Sequence, residues 1–401
     1  MGQRGSIKME NCNPLKYTCL FGGGAIRGLA YIGTIRALEE LGIEYDIIGG
    51  SSVGAVIAAL VACGYKSYEL ENLFMKVNFD LFKDIHLGFK GTLSLSKGEI
   101  FLDWLNELLS NKIPVEKGKN PTFKDLDQKL VIISTDLTKF SSQEFSTNET
   151  PDFEIAQAIK ISSSMPGLMP PYPYKDSLLV DGDLQKASPM WRLAETLNNS
   201  ESRILEFRLE GDYNRDGKSP ISFINTIYSC VTDIATKFVT EIYGQNDRYD
   251  YISINTGDIF FADFNLNKEA RRNLINIGYS VTMDYFKKIL PNKKQELLDI
   301  YSKIYSYLKN SQKGLKAHNV EEVQWWLGDI FTLMCENKEI IDPIIYKQIV
   351  SLKNLIMDNV KTILFFRTAF KSPKEINDEI KKVLQTLNYR IADLKLYLQK
   401  I

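Results

Sequence analysis

"DIIGGSSVGAVIAALVACG", residues 46 to 64, joins a short apolar run to a longer one through a knot of small residues. The first run has the length and branching of a buried strand, and the second is long enough for a helix. Between them stands G-x-S-x-G, as Gly50, Ser52 and Gly54. A serine at that spacing, where a strand turns sharply into a helix, reads as a nucleophile elbow. The spacing has a steric reason: glycine on either side lets the strand and helix backbones approach, and Ser52 is thrust outward at the helix N-terminus. The partial positive charge of that end favours a developing alkoxide or oxyanion. Ser51 falls outside the glycine spacing and is taken as a supporting turn residue. The helix that follows is apolar nearly all round, which predicts that it lies buried in the centre of its domain.

Upstream, "FGGGAIRGLAYIG" (21 to 33) packs five glycines into thirteen positions at another strand-to-helix junction. Such a loop cradles a nucleotide phosphate or holds the oxyanion of an acyl-transfer intermediate. The nucleotide reading fits poorly. No G-K-[ST] follows, and G-x-G-x-x-G ending at Gly28 requires a glycine at 25, where alanine stands. The second strand also runs into "GGSSVG" without the acidic residue that would meet a ribose. The oxyanion reading needs only the N–H groups of Gly23, Gly24 and Ala25 to reach the carbonyl oxygen of an ester attacked by Ser52.

A nucleophilic serine needs a base, and the chain has just two histidines, His86 and His318. His86, in "DIHLGFKGTLSL", reads as a surface-loop residue, and His318 lies in a distal helical region. The order Ser…Asp…His leaves an ordinary triad through His318 open. The other base is Asp181, which closes the apolar run "SLLVD" and opens Asp181-Gly182-Asp183. Asp-Gly alone is more often a plain turn. A carboxylate at a strand end, however, is where parallel α/β sheets build their sites. In a Ser-Asp dyad Asp181 takes the Ser52 proton directly, within a water-poor site that raises carboxylate basicity.

Around these motifs the first 210 residues alternate short apolar runs with helical patterns. Strands are expected at 17–22, 45–49, 129–135, 177–181 and 203–209, and a helix between the first two ends at Gly42. The fold class is therefore α/β, a mostly parallel sheet between two helical layers. Beyond about 219 the pattern is helical, with one strand-like return at 249–257, and from about 290 onward it reads as wholly helical. The expected organisation is a flexible tail (1–15), a catalytic body (16–290) and a helical extension (291–401).

Composition bounds the partners. Of 401 residues 44% are hydrophobic, and 49 basic against 50 acidic side chains leave a net charge of -1. No global field draws the chain to nucleic acid or an anionic membrane, so any membrane contact is local. Cysteines 12, 19, 63, 230 and 335 are odd in number and scattered, which argues against a disulfide framework and a zinc site. No metal or cofactor is expected. The start, "MGQRGSIKMENCNPLK", has no secretory apolar run, and a cytoplasmic setting is the default. "MGQRGS" formally fits a myristoylation pattern through Gly2 and Ser6, but the pattern is short and a plain flexible tail is the preferred reading.

"GGGAIRG", "GSSVGA" and "VDGD", in this order, resemble the patatin-like phospholipase family. "VIISTDLTK" (131–139), "AIKISSSMPGLMPPY" (158–172) and "SKGEIFLDWLNELL" (96–109) are similar to it as well, so the resemblance spans about 16–290. It implies a lipid acyl hydrolase, of phospholipase A or lysophospholipase type, with Ser52 as nucleophile, Asp181 as base and residues 23–25 as oxyanion hole. Gly22, Arg27, Gly28, Gly50, Gly54, Gly182 and Asp183 are then supporting residues. Two departures stand out. Ala25 replaces the third loop glycine, which is tolerable only at negative φ. Asp183 stands where the family usually has glycine or alanine, and "ASP" (187–189) replaces the usual Asn-Pro. A second carboxylate there raises the pKa of Asp181 or distorts the loop. A catalytically silent lipid binder of the same fold is the alternative.

Arg27 is either a solvated first-turn residue or a brace for the loop that also suits a lipid phosphate. Met165, Leu168, Met169 and Tyr172 are candidates for an acyl groove, or for core and turns. The expected partners are a membrane phospholipid or other lipid ester and, transiently, the membrane surface. The helical extension, with "KNLIMDNVKTILFFRTAFK" (353–371), packs on itself and the body, or offers a face for a membrane, a protein partner or self-association.

Overall fold

The computed structural model describes residues 16–83, 96–184, 203–211, 249–260, 263–337, 341–363 and 367–400, with isolated positions between 223 and 237. The expected tail (1–15), His86 and the segment 187–189 lie outside the described residues. The chain divides into two compact units, one of residues 1–242 and 248–283, the other of 243–247 and 284–401.

The first unit is an α/β fold on an eight-stranded sheet. β1 (Lys16–Phe21), β2 (Glu44–Gly50), β3 (Lys129–Asp136), β7 (Arg203–Glu210) and β8 (Tyr249–Asn255) run parallel. β6 (Ser177–Val180) runs antiparallel to β3 and carries β5 (Tyr172–Tyr174) on its outer side, while β4 (Ser141–Ser146) folds back on β3. The order β5-β6-β3-β2-β1-β7-β8 makes β1 the strand from which the chain first builds to one side and later returns to the other. In open parallel sheets the crevice beyond the carboxyl ends at such a reversal is where sites form.

The helix α1 (Leu29–Glu40) follows β1 and stops before Gly42, which takes a left-handed φ of 64°. It lies tight against the helix Lys268–Asp284: a Cβ on Gly33 would strike the Ile275 carbonyl, and one on Gly278 the Ala30 carbonyl. The helix α2 (Val53–Ala62) follows β2, and its residues 54–60 are all buried, so the all-round apolar pattern does mark a central helix. Phe21 stacks on Phe207 and meets Tyr31 edge-on, joining β1, β7 and α1 in one aromatic core.

Two strands escape the sequence pattern. β4, "SSQEFS", is polar because its first four residues are exposed or half-buried, so burial does not impose apolar alternation along it. β5 is three residues long, with a proline at its centre.

The second unit has its own core. The helices Leu290–Lys316, Val320–Glu336, Pro343–Asn359 and Pro373–Lys400 bury an apolar stripe each, with Ile304, Ile330, Ile349, Leu352, Ile380 and Leu387 inaccessible to solvent. Asp342 caps the third of these by accepting the Ile344 N–H at 2.7 Å, and Arg390 pairs with its other oxygen at 2.7 Å. The expectation of a wholly helical extension is corrected here. Val360–Ile363 and Arg367–Phe370 form an antiparallel hairpin, where Val, Thr and Ile in "VKTI" and Thr and Phe in "RTAF" favour the extended chain. No helix among the described residues is long and apolar enough to cross a membrane.

Candidate active site

Ser52 is the N-cap of α2 and sits at φ 52°, ψ -126°, a strained conformation for a residue with a side chain. The strain has a local cause. The turn from β2 into α2 is so tight that a Cβ on Gly50 would come within 2.6 Å of the Gly54 oxygen and 2.7 Å of the Phe21 oxygen. Only glycine fits at either flank, as the steric reading of G-x-S-x-G requires. The Ser52 N–H is not wasted on solvent; it donates to Ser162 Oγ at 3.0 Å, and that hydroxyl donates to the Ile133 carbonyl at 2.6 Å.

Ser162 also reaches the other half of the candidate dyad. Its carbonyl accepts the Gly182 N–H at 3.0 Å, and the Ser164 carbonyl accepts the Asp181 N–H at 3.0 Å. The end of the helix Ile155–Ser162 thus holds both the elbow and the Asp181-Gly182 turn. Asp181 is 2% exposed, and its Oδ1 accepts the Asp183 N–H at 2.8 Å. Gly182 leaves no room for a side chain, since a Cβ would strike the Ile133 carbonyl.

The glycine loop lies beside the elbow. A Cβ placed on Gly23 would come 3.1 Å from Ser52 Cβ and 2.7 Å from Asp183 Oδ2. The Gly23 N–H donates to Asp183 Oδ1 at 3.1 Å, which departs from its expected part as an oxyanion donor: a carboxylate already occupies it. Gly24 takes φ 149°, open to glycine alone, and Ala25 takes φ 48°. The negative φ that would excuse an alanine at 25 is therefore not met. Ala25 is held left-handed at a cost of about 1–2 kcal/mol. Among the described residues no hydrogen bond is formed by the N–H of Gly24 or Ala25.

Arg27 is buried, and its Nε donates to the Gly24 carbonyl at 3.3 Å, so the solvated reading gives way to the brace. Gly28 abuts Val53 of the elbow helix closely enough to exclude any side chain. Tyr31 supports the loop from below, donating to the Gly22 and Phe207 carbonyls at 3.0 and 3.1 Å. Burial pushes its phenol pKa up, which keeps it a donor.

Sequence reasoning gave Ser51 and Asp183 minor parts and missed Arg208 and Glu206. Ser51 Oγ donates to Asp183 Oδ1 at 2.6 Å, and Arg208 Nη1 meets the same oxygen at 3.1 Å. Arg208 Nε lies 3.3 Å from Glu206 Oε1, and Glu206 Oε2 accepts from Tyr249 at 2.7 Å. Burial alone would lower the Arg208 pKa, but the carboxylates of Asp183 and Glu206 outweigh it and raise it. The signal was present in "RILEFRLE": opposite charges two residues apart, at Glu206 and Arg208, share one face of the strand, and where the strand is buried they must find partners.

Of the other candidates, His318 belongs to the second unit, at φ 57° after the helix Leu290–Lys316. Met165 is buried, whereas Leu168, Met169 and Tyr172 are half-buried; Leu168 accepts the Ser96 N–H at 2.9 Å.

A strained serine between glycines, a buried Asp-Gly turn and a glycine loop converge beyond the carboxyl ends of β1 and β2, and residues 20–193 match the family model described as patatin-like phospholipase. These residues form a patatin-like phospholipase domain. The protein R571 of Acanthamoeba polyphaga mimivirus is 26% identical over 300 residues, 70% of this chain and 99% of its own length. YqhO of Bacillus subtilis is 26% identical over 295 residues, 67% of this chain and 97% of its own. The probable lipid hydrolase 463L of Invertebrate iridescent virus 6 is 24% identical over 178 residues, 43% of this chain and 61% of its own.

Proposed function

We propose that the patatin-like domain is a serine-dependent lipid acyl hydrolase that cleaves carboxylic esters of membrane lipids. The observation that carries this reading is Ser52 itself, held at φ 52° on a strand-to-helix corner that admits only glycine at either side. Strain of that kind persists when the surroundings impose it, and it presents a hydroxyl at a helix N-terminus. The family match and a relative named as a probable lipid hydrolase support an acyl ester as the substrate class.

In this mechanism Ser52 Oγ attacks the ester carbonyl carbon while Asp181 takes its proton. The carbonyl oxygen becomes an oxyanion, stabilised by the N–H groups of Gly24 and Ala25 and by the start of α2. Collapse of the tetrahedral intermediate expels the alcohol, which receives the proton from Asp181 and leaves an acyl ester on Ser52. Water, deprotonated by Asp181, attacks that ester, and the second intermediate releases the fatty acid and returns the proton to Ser52. Burial of Asp181 supports its role, because a carboxylate with little water around it is a better base.

Release of fatty acid from phospholipid vesicles tests the scheme. Asp181→Asn is expected to abolish turnover and His318→Gln to leave it intact. The reverse pattern would restore the Ser-Asp-His triad, and a wild-type protein that binds vesicles without releasing acid would point to a silent binder.

A further inference from the structure

We propose that Asp183 is the positioning residue of this site, a clamp that locks the glycine loop, the elbow and the base into one arrangement. The proposal rests on the Ser52–Asp181 reading above. Asp183 is 6% exposed, and its single oxygen Oδ1 gathers three donors: Ser51 Oγ at 2.6 Å, the Gly23 N–H at 3.1 Å and Arg208 Nη1 at 3.1 Å. Those donors come from the ends of β2, β1 and β7, so one atom ties together three neighbouring strand ends. Its backbone N–H, meanwhile, donates to Asp181 Oδ1 and fixes the orientation of the base carboxylate.

Asp183 is itself held from behind. Arg208 spans Asp183 and Glu206, and Glu206 is fixed by the hydroxyl of Tyr249 on β8. A Cβ on Gly22 would strike the Arg208 guanidinium, so the first glycine of the loop packs on the cation directly. A buried ionic group adds little net stability over apolar packing. What it supplies here is placement. Ser52 and Ala25 both hold strained positive φ values, and Asp183 grips Ser51 and Gly23, the residues one and two positions before them.

The test uses the full chain, a soluble p-nitrophenyl ester, and active-site titration with a fluorophosphonate so that turnover is counted per reactive serine. Asp183→Asn keeps the size and an acceptor oxygen but removes the charge that holds Arg208. Its kcat per titrated site is expected to fall roughly ten- to a hundredfold at unchanged KM, with phosphonylation slowed by the same factor. Ser51→Ala, which deletes one donor, is expected to cost roughly three- to tenfold. The double variant should be no slower than Asp183→Asn alone, because both act through one oxygen. A purely structural role would instead reduce the number of titratable sites and leave kcat per site intact. Wild-type kcat per site in Asp183→Asn, or fully additive losses, would overturn the clamp. Should Asp183→Asn fail to fold, Ser51→Ala decides alone, and a wild-type kcat per site in that variant overturns it. An inert Ser52→Ala beside a fully active Asp183→Asn removes the clamp but leaves the nucleophile standing, whereas turnover retained in Ser52→Ala would remove both.

Discussion

Replacing Gly54 by alanine probes the elbow through space alone. Gly54 is not among the residues with positive φ, so its backbone suits any side chain. An added Cβ would strike the Phe21 carbonyl oxygen, with the Phe21 carbonyl carbon at 2.5 Å and the Gly22 oxygen at 2.7 Å. Ordinary contact begins at 3.4 Å, so the Phe21 carbon must move by about 0.9 Å. That carbon is backbone and leads straight into the glycine loop, so the displacement separates Ser52 from the oxyanion donors. Overpacking of this kind costs about 1–3 kcal/mol, a drop of roughly 2–12 °C in thermal midpoint for a unit of this size. A misplacement near 1 Å costs about a hundredfold in rate. Thermal unfolding and p-nitrophenyl ester turnover measure the two effects. Gly42→Ala is the control: Gly42 is left-handed at φ 64° with nothing within 4 Å of an added Cβ. It should lose about 1 kcal/mol and no activity. Wild-type turnover in Gly54→Ala would refute the steric account of the motif.

Ala25→Gly removes the left-handed strain at 25 while loosening the unfolded chain, and a net gain of up to about 1 kcal/mol is expected; urea denaturation reads it, and a clear loss would contradict the strain. In the helical unit, Arg390→Met removes the guanidinium that meets buried Asp342 at 2.7 Å beside the helix cap it forms, a loss of about 1.5–3 kcal/mol that calorimetry should place in that unit. Thiol reactivity should follow burial. Cys230 and Cys335 are exposed and react promptly with Ellman's reagent in the native protein, while burial pushes Cys63 up to about 12 and leaves roughly one thiolate in ten thousand at pH 8. Cys19 is raised further and stays silent until unfolding. Prompt reaction of Cys19 in the folded state would show that the β1 core is open.

The parts of this fold that were legible in the sequence are those where burial acts on both faces. β1, β2, β3 and β7 are apolar runs because helices cover them, and α2 is apolar all round because the sheet and its neighbours surround it. The elbow was legible because its geometry forces glycine at 50 and 54. β4 and the paired strands Val360–Ile363 and Arg367–Phe370 were not, since the exposed and half-buried part of β4 makes no demand for apolar alternation and four-residue strands carry little pattern. The Asp183 network was hidden for another reason: its three donors lie 25 to 160 residues from Asp183, and only the sheet order brings them to one oxygen. Ala25 shows the limit of counting donors. An alanine has the same N–H as a glycine, but whether the backbone can aim it depends on a φ that no spacing reveals.

The most direct test of the central claim is the identity of the residue that a fluorophosphonate modifies. Peptide mass spectrometry of the labelled wild-type chain is expected to place one phosphonyl group on Ser52, with no adduct formed in Ser52→Ala. An adduct on Ser51 or elsewhere, or undiminished labelling of Ser52→Ala, would contradict the account.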